Sequence, residues 1–325
     1  MTPRSILAVT DFSMHGDKAL DRAALLSAEH GAVLKLACLA YPGETPPSDA
    51  TTRLAHHALQ LSQVHGIDAR AASRLAHAVE DLLPEVNATD LVVWGTAPVR
   101  SLRSFFLGQP VEALIRNARR PVLVARRSAE RPYRSLLVAV DFSEASRALV
   151  DVGFSLSRSA SVELFHAVST ANEGKLRYAE VSDRAIKAYR DQCRRYAQDR
   201  MFWLTDSYDA RRNRVQSAIA HGDPARQALV QQQRNGSELI VVGKHPASIL
   251  SDMLFGSVAA RILDYSATDD LRADVLVVPH DWQPASSASA VGRLQAEHLP
   301  ARRVRAGAAQ PQREPSMIRV SDQSI

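Results

Sequence analysis

Residues 7–13, LAVTDFS, are written a second time as LVAVDFS at residues 137–143. Working outward from that pair, DLVVWG at 90–95 returns as ELIVVG at 238–243, and PVLVA at 121–125 returns as DVLVV at 274–278. The three blocks keep their order, which marks a tandem duplication. The interval between the first two blocks is about 18 residues longer in the second copy, so that copy carries an insertion.

Each block is a short run rich in Val, Ile and Leu, bounded by polar or turn residues, which is how a strand buried on both faces reads. Strands are expected near 5–10, 33–40, 68–75, 90–95 and 121–126, with helices near 16–30, 50–65, 79–87 and 110–118 between them. The second half repeats the strands near 135–140, 161–168, 213–220, 238–243 and 274–278. Strands alternating with helices predict an α/β protein with parallel sheets covered on both sides. The division expected is 1–130, 131–282 and a tail, 283–325, whose Ala, Ser, Gln, Pro and Arg without periodicity predict disorder. The extra residues of the second half fall in 171–212. There Ile186, Tyr189, Tyr196 and Phe202 lie at helical spacing and predict one elongated helix, its aromatic stripe packed into the core or else forming a partner surface.

Composition excludes several function classes. With 46% hydrophobic and 23% charged residues the chain is ordinary globular material. It contains no run of about 18 apolar residues, and its N-terminus lacks the sections of a signal peptide, so a cytoplasmic protein without a membrane partner is expected. The formal charge of +5 is concentrated in the tail, where six Arg face three acids. The folded part is close to neutral, which argues against nucleic acid. Cys38 and Cys193 lack disulfide or zinc spacing. His56, His57, His65 and His77 have no converging Cys, Asp or Glu, and read as solvated or packed side chains. No G-x-S-x-G, GxxxxGK[ST] or GxGxxG occurs, and no nucleophile, base and orienting partner stand together. No enzyme is expected.

In open parallel sheets of the flavodoxin-like or Rossmann-like kind, ligands bind beyond the carboxyl ends of the strands, where chain order reverses. Asp11 and Asp141 end the first strand of each half, and Gly95 and Gly243 end the fourth. From Gly243 a loop runs to Gly256-Ser257 before the helical VAARILDYS. A helix start presents unpaired N–H groups to an anion, and glycine lets backbone approach it closely.

The two V/T-D-F-S turns, the G-x-H-x segment followed by nine residues and G-S-V, and the closing PVLVA-type strand resemble the universal stress protein family over about residues 4–127 and 134–280. The resemblance implies two tandem flavodoxin-like or Rossmann-like domains, each a five-stranded parallel sheet flanked by helices, with a role in the stress response. One branch of that family binds ATP and another binds no nucleotide. Carried over position by position, Val140, Asp141 and Ala167 would form the adenine and ribose end. Gly243 and His245 would line the ribose and first phosphate, and Gly256, Ser257, Val258 and Ala259 the remaining phosphates of ATP with Mg²⁺. Pro246 stands at the family's second glycine and has no N–H to donate. Lys244 is a candidate to reach the phosphates in compensation.

The first half departs further, with Pro98 at the second glycine and Gln109-Pro110 after Gly108. It reads as a structural or dimerising partner of the second half, an internal pseudo-dimer that a second chain can extend to a homodimer. Three functions remain open: an adenine-nucleotide-binding regulator, a nucleotide-free stress protein acting through unknown protein partners, and a slow ATPase with His245 as its candidate base. Asp223 and Pro224, in HGDPARQAL, are expected to cap and open a helix.

Overall fold

A computed structural model describes residues 2–39, 45–72, 75–95, 110–206, 215–244, 258–265 and 273–282. The first half contains β1 (Ser5–Thr10), α1 (Met14–His30), β2 (Val33–Cys38), α2 (Ala50–His65), β3 (Ala69–Ala71), α3 (Val79–Ala88), β4 (Leu91–Gly95), α4 (Pro110–Asn117) and β5 (Val122–Ala125). The second contains β6 (Ser135–Ala139), α5 (Ala145–Leu156), β7 (Ser161–Val168), α6 (Ala171–Tyr178), α7 (Asp183–Asp206), β8 (Val215–His221), α8 (Pro224–Asn235), β9 (Leu239–Lys244), α9 (Val258–Tyr265) and β10 (Asp274–Pro279).

All strands join one ten-stranded sheet in the order β3-β2-β1-β4-β5-β10-β9-β6-β7-β8. Within each half the pairing is parallel, and the order places β1 beside β4 and β6 beside β9. The halves meet where β5 and β10, the last strand of each, pair antiparallel. Successive strand residues point to opposite faces, and both faces are covered. Ile6, Ala8, Leu91 and Val93 join the core under α1, α2 and α5. Leu7, Val9, Val92 and Trp94 join the core under α3, α4, α8 and α9. Residues 1–283 make one compact unit, and no helix among the described residues is long and apolar enough to cross a membrane.

The duplication is visible in how strands are anchored. The acid preceding the fourth strand of each half accepts hydrogen bonds from the start of the first: Asp90 from the N–H of Arg4 (2.9 Å) and Ser5 (3.2 Å), and Glu238 from the N–H of Arg134 (2.8 Å). At the seam the charge is deeper. Asp274, fully buried, accepts from the N–H groups of Arg126 (2.7 Å) and Arg127 (2.9 Å) and from the Tyr133 hydroxyl (2.5 Å). Arg22 of α1 lies 3.2 Å from the same carboxylate, with its guanidinium 4.1 Å from the centre of the Tyr133 ring. Burial and the adjacent Asp274 charge push the Tyr133 phenol well above its ordinary value.

Three expectations need correction. The insertion is two helices rather than one. Glu180 takes a left-handed φ of 55° after α6, and Ser182 then starts α7 by accepting from the N–H of Ala185 and Ile186. The aromatic stripe is not core: Ile186 is buried, but Tyr196 is 55% and Phe202 60% exposed, and α7 packs inward through Ile186, Ala197 and Met201. β3 covers only 69–71 rather than 68–75. The tail 283–325, residues 207–214 at the end of the insertion, and Pro98, Gly108, Gln109 and Pro246 lie outside the described residues.

Candidate functional site

The first strand of each half ends in the same Asp-Phe-Ser turn. Asp11 Oδ1 accepts from the Ser13 N–H and Asp141 Oδ1 from the Ser143 N–H, both at 2.9 Å. Phe12 and Phe142 between them adopt φ of 58° and 63°, a conformation bulky side chains rarely take. Each ring is held in place: Phe12 stacks on His57 and under Arg53, and Phe142 lies 4.3 Å from the His166 ring. His166 Nδ1 is 2.8 Å from the Val140 carbonyl oxygen, which can only accept, so the proton sits on Nδ1. Burial pulls the His166 pKa down, which keeps the ring neutral at pH 7.

Beyond these turns the second half holds a cleft of about 700 Å³, mouth included, at the carboxyl ends of β6, β7 and β9. Five of the nine residues that the sequence assigned to a nucleotide line it, Val140, Asp141, Ala167, Gly243 and Val258, and so do Lys244 and Pro224. Val258 opens α9, so the start of that helix stands at the cleft wall. Ala259 is buried among the core side chains and can offer only its backbone. His245, Gly256 and Ser257 lie outside the described residues. Asp141 Oδ1 also accepts from the hydroxyls of Ser143 (2.6 Å) and Ser146 (2.9 Å), which hold the carboxylate at the rim. Among the described residues no group of three His, Cys, Asp or Glu converges as a metal site.

Lys244 is not turned to a phosphate. Its Nζ donates to the carbonyls of Ile115 (2.9 Å) and Arg116 at the end of α4, in the other half. Backbone carbonyls at a helix C-terminus lack intrahelical partners and carry partial negative charge, so a lysine is favourable there. Burial lowers the Lys244 pKa.

The corresponding crevice of the first half takes in about 270 Å³, mouth included, between Val9, Asp11, Leu39, Trp94, Gly95 and Pro110. Trp94 occupies the position that Val242 holds in the second copy and is only 9% exposed. The approach of α1 closes it further. A Cβ on Gly95 would lie 1.9 Å from the His15 carbonyl oxygen, whereas the nearest described atom to one on Gly243 is a Leu149 methyl, at 3.3 Å.

Two positioning features were missed from sequence. Asp223 caps α8 by accepting from the Arg226 N–H (3.0 Å), as expected, but it also takes both nitrogens of Arg261 at 2.6 and 2.9 Å, tying α9 to α8. Burial pushes the Asp223 carboxyl up, yet the Arg261 and backbone hydrogen bonds outweigh it and hold the group below its usual value. Glu173 on α6 is gripped by Arg190 of α7 (2.7 Å) and by His221 at the end of β8 (2.5 Å). Arg190 first, then His221, hold its carboxyl at about 2 against the opposing effect of burial. A carboxylate whose pKa is lowered on folding stabilises the fold above its unfolded value and loses that contribution as pH falls through the folded one. Hydrogen-exchange protection factors across residues 171–178, each taken against the intrinsic rate at its own pH, should therefore stay high at pH 5 and fall as pH approaches 2. In Glu173→Gln they should already be low at pH 5, and equal protection in the two proteins would refute the role assigned to Glu173.

Two parallel five-strand arrays with a crevice at each point of strand reversal define a tandem doubly wound α/β protein. The sequence pattern of the universal stress protein family matches twice, over residues 3–126 and 132–279, and the chain belongs to that family. Similar solved structures include a universal stress protein from Archaeoglobus fulgidus, 15% identical, with a TM-score of 0.62 over 86% of this chain and 100% of that one. A putative universal stress protein from Pseudomonas aeruginosa is 20% identical, with a TM-score of 0.57 over 90% and 98%. At these identities the likeness is one of fold. No curated protein sequence matches the chain.

Proposed function

We propose that this protein is a stress-response regulator whose second half, from about residue 131, holds an adenine nucleotide, while the first half, up to about residue 130, is its structural partner. The observation that carries the reading is the asymmetry of the two crevices: one open and lined by a glycine that packing does not require, the other narrowed by Trp94 and α1. Val140, Asp141 and Ala167 take the adenine and ribose end. Gly243 and His245 take the ribose and first phosphate, and Gly256, Ser257, Val258 and Ala259 the remaining phosphates of ATP with Mg²⁺. No residue is assigned a catalytic role. Pro246 removes one N–H donor, and a hydrogen bond to a charged group is worth about 1.5–3 kcal/mol, so affinity is about ten- to a hundredfold below that of a loop with the second glycine.

A second reading, a nucleotide-free protein acting through protein contacts, is favoured by Lys244, the residue directly after Gly243, being committed to α4. Mass spectrometry of small molecules released on denaturation, followed by calorimetric titration of the stripped protein with ATP and Mg²⁺, separates the two. The expected result is a 1:1 complex that Gly256→Glu abolishes without changing the fold. An empty protein with no heat of binding at millimolar ATP would leave only the contact-based reading.

A further inference from the structure

Lys244 belongs to both halves at once. It ends β9 and lines the cleft of the second half, yet its ammonium donates to the carbonyls of Ile115 (2.9 Å) and Arg116 at the end of α4, in the first half. The eight residues of α4 thereby connect the two crevices, because Pro110 at the other end of the helix lines the narrow one. The first copy has Thr96 where the second has Lys244, so the duplication does not supply this link twice.

What holds the ammonium is weak for a full charge. Among the described residues its hydrogen bonds go to two backbone carbonyls, and no carboxylate pairs with it. Burial opposes its charge, Asp281 favours it from farther off, and Arg116 repels it. The carbonyls at a helix end carry about half an elementary charge in all. A phosphate carries at least a whole one and accepts the shorter, stronger, charge-assisted bond. The lysine stem is flexible, and its three donors turn readily to a new acceptor. We propose that Lys244 is a latch shared between the halves: an anionic ligand in the second cleft draws its ammonium off α4 and loosens the end of that helix. The latch rests on the nucleotide reading for the anion that enters the cleft. By linkage it works in both directions, so whatever holds Lys244 more firmly on α4 weakens the ligand by the same factor.

Exchange protection across residues 114–118, where the Ala118 N–H closes the last turn on the Leu114 carbonyl (2.7 Å), should fall when ATP with Mg²⁺ saturates the full chain. In Lys244→Met it should be low without ligand and unmoved by ATP, whose affinity should drop about tenfold. Arg116→Glu, at an exposed position outside the cleft, sets a carboxylate beside the two carbonyls. It should weaken ATP about tenfold in the parent and leave affinity unchanged in the Lys244→Met background. Protection unchanged at full occupancy, or an Arg116→Glu effect that persists without Lys244, would overturn the latch and leave nucleotide binding standing. No heat of binding with ATP would sink the nucleotide reading instead. The latch is then decided by inorganic tripolyphosphate, the same anion without its nucleoside. A fall in protection across 114–118 that Lys244→Met abolishes would support it, and no fall would overturn it.

Discussion

Replacing Asp274 with Asn is expected to lower the unfolding free energy by about 3–5 kcal/mol, the range for removing one partner of a buried ion pair. Three donors and one cation converge on this carboxylate from both halves: two N–H groups of the connecting segment, the Tyr133 hydroxyl and the charge of Arg22, whose Nη1 also donates to the Arg131 carbonyl (3.0 Å). An amide in its place turns one acceptor edge into a donor and leaves the Arg22 charge, 4% exposed, uncompensated. Urea denaturation should show a lower midpoint at unchanged slope. Because the two charges act on one another, Arg22→Met combined with Asp274→Asn should cost less than the sum of the single changes, by about 0.5–3 kcal/mol. Additive losses would mean that Asp274 acts through the connecting backbone alone.

That seam also marks where sequence reading stops. The repeated blocks were legible because each is a strand buried on both faces, and apolar runs of that kind need no partner to be recognised. Chain order alone set Asp141 and Gly243 at one crevice, while Val140 and Ala167 came from what the family resemblance implies; all four line the cleft. The capping pair Asp223 and Pro224 was readable because a cap is local. What could not be read depends on distant contacts. Asp274 stands where the first copy has Pro121, a difference visible on the page, but nothing local says that Arg22 lies beneath it. Lys244 follows a glycine at a strand end and reads as a phosphate ligand until the carbonyls of α4 are placed beside it. The break before α7 has no glycine or proline to announce it; Glu180 adopts the left-handed conformation itself. The Ser182-Asp183 pair is a start signal of ordinary strength that the helical periodicity of its surroundings concealed. The aromatic stripe was assigned to the core because periodicity reports a face without saying which face is inside.

The two glycines that end the fourth strands give the sharpest contrast between copies. Gly95→Ala is expected to cost about 3 kcal/mol, at the upper end of the range for overpacking, because the added Cβ would stand 1.9 Å from the His15 carbonyl oxygen and 2.5 Å from its carbon. Those atoms are backbone at the start of α1, braced by the Asp11 turn, and no rotamer change can move them. In the second copy α5 starts differently. Ser146 replaces Gly16 in the repeat and donates its hydroxyl to Asp141, and the nearest atoms to a Gly243 Cβ among the described residues belong to the Leu149 side chain, at 3.3 Å and beyond. Gly243→Ala should therefore stay within about 1 kcal/mol of the parent, the size of an ordinary tolerated substitution. Its effect should appear instead at the cleft: a methyl at the wall blocks the close approach of backbone to a phosphate, and ATP affinity should fall about tenfold or more at unchanged stability. Thermal unfolding of both variants, with and without ATP, reads the two effects separately. Equal destabilisation by the two substitutions would show that α5 presses on β9 as α1 presses on β4, and the asymmetry that distinguishes the second crevice would be gone.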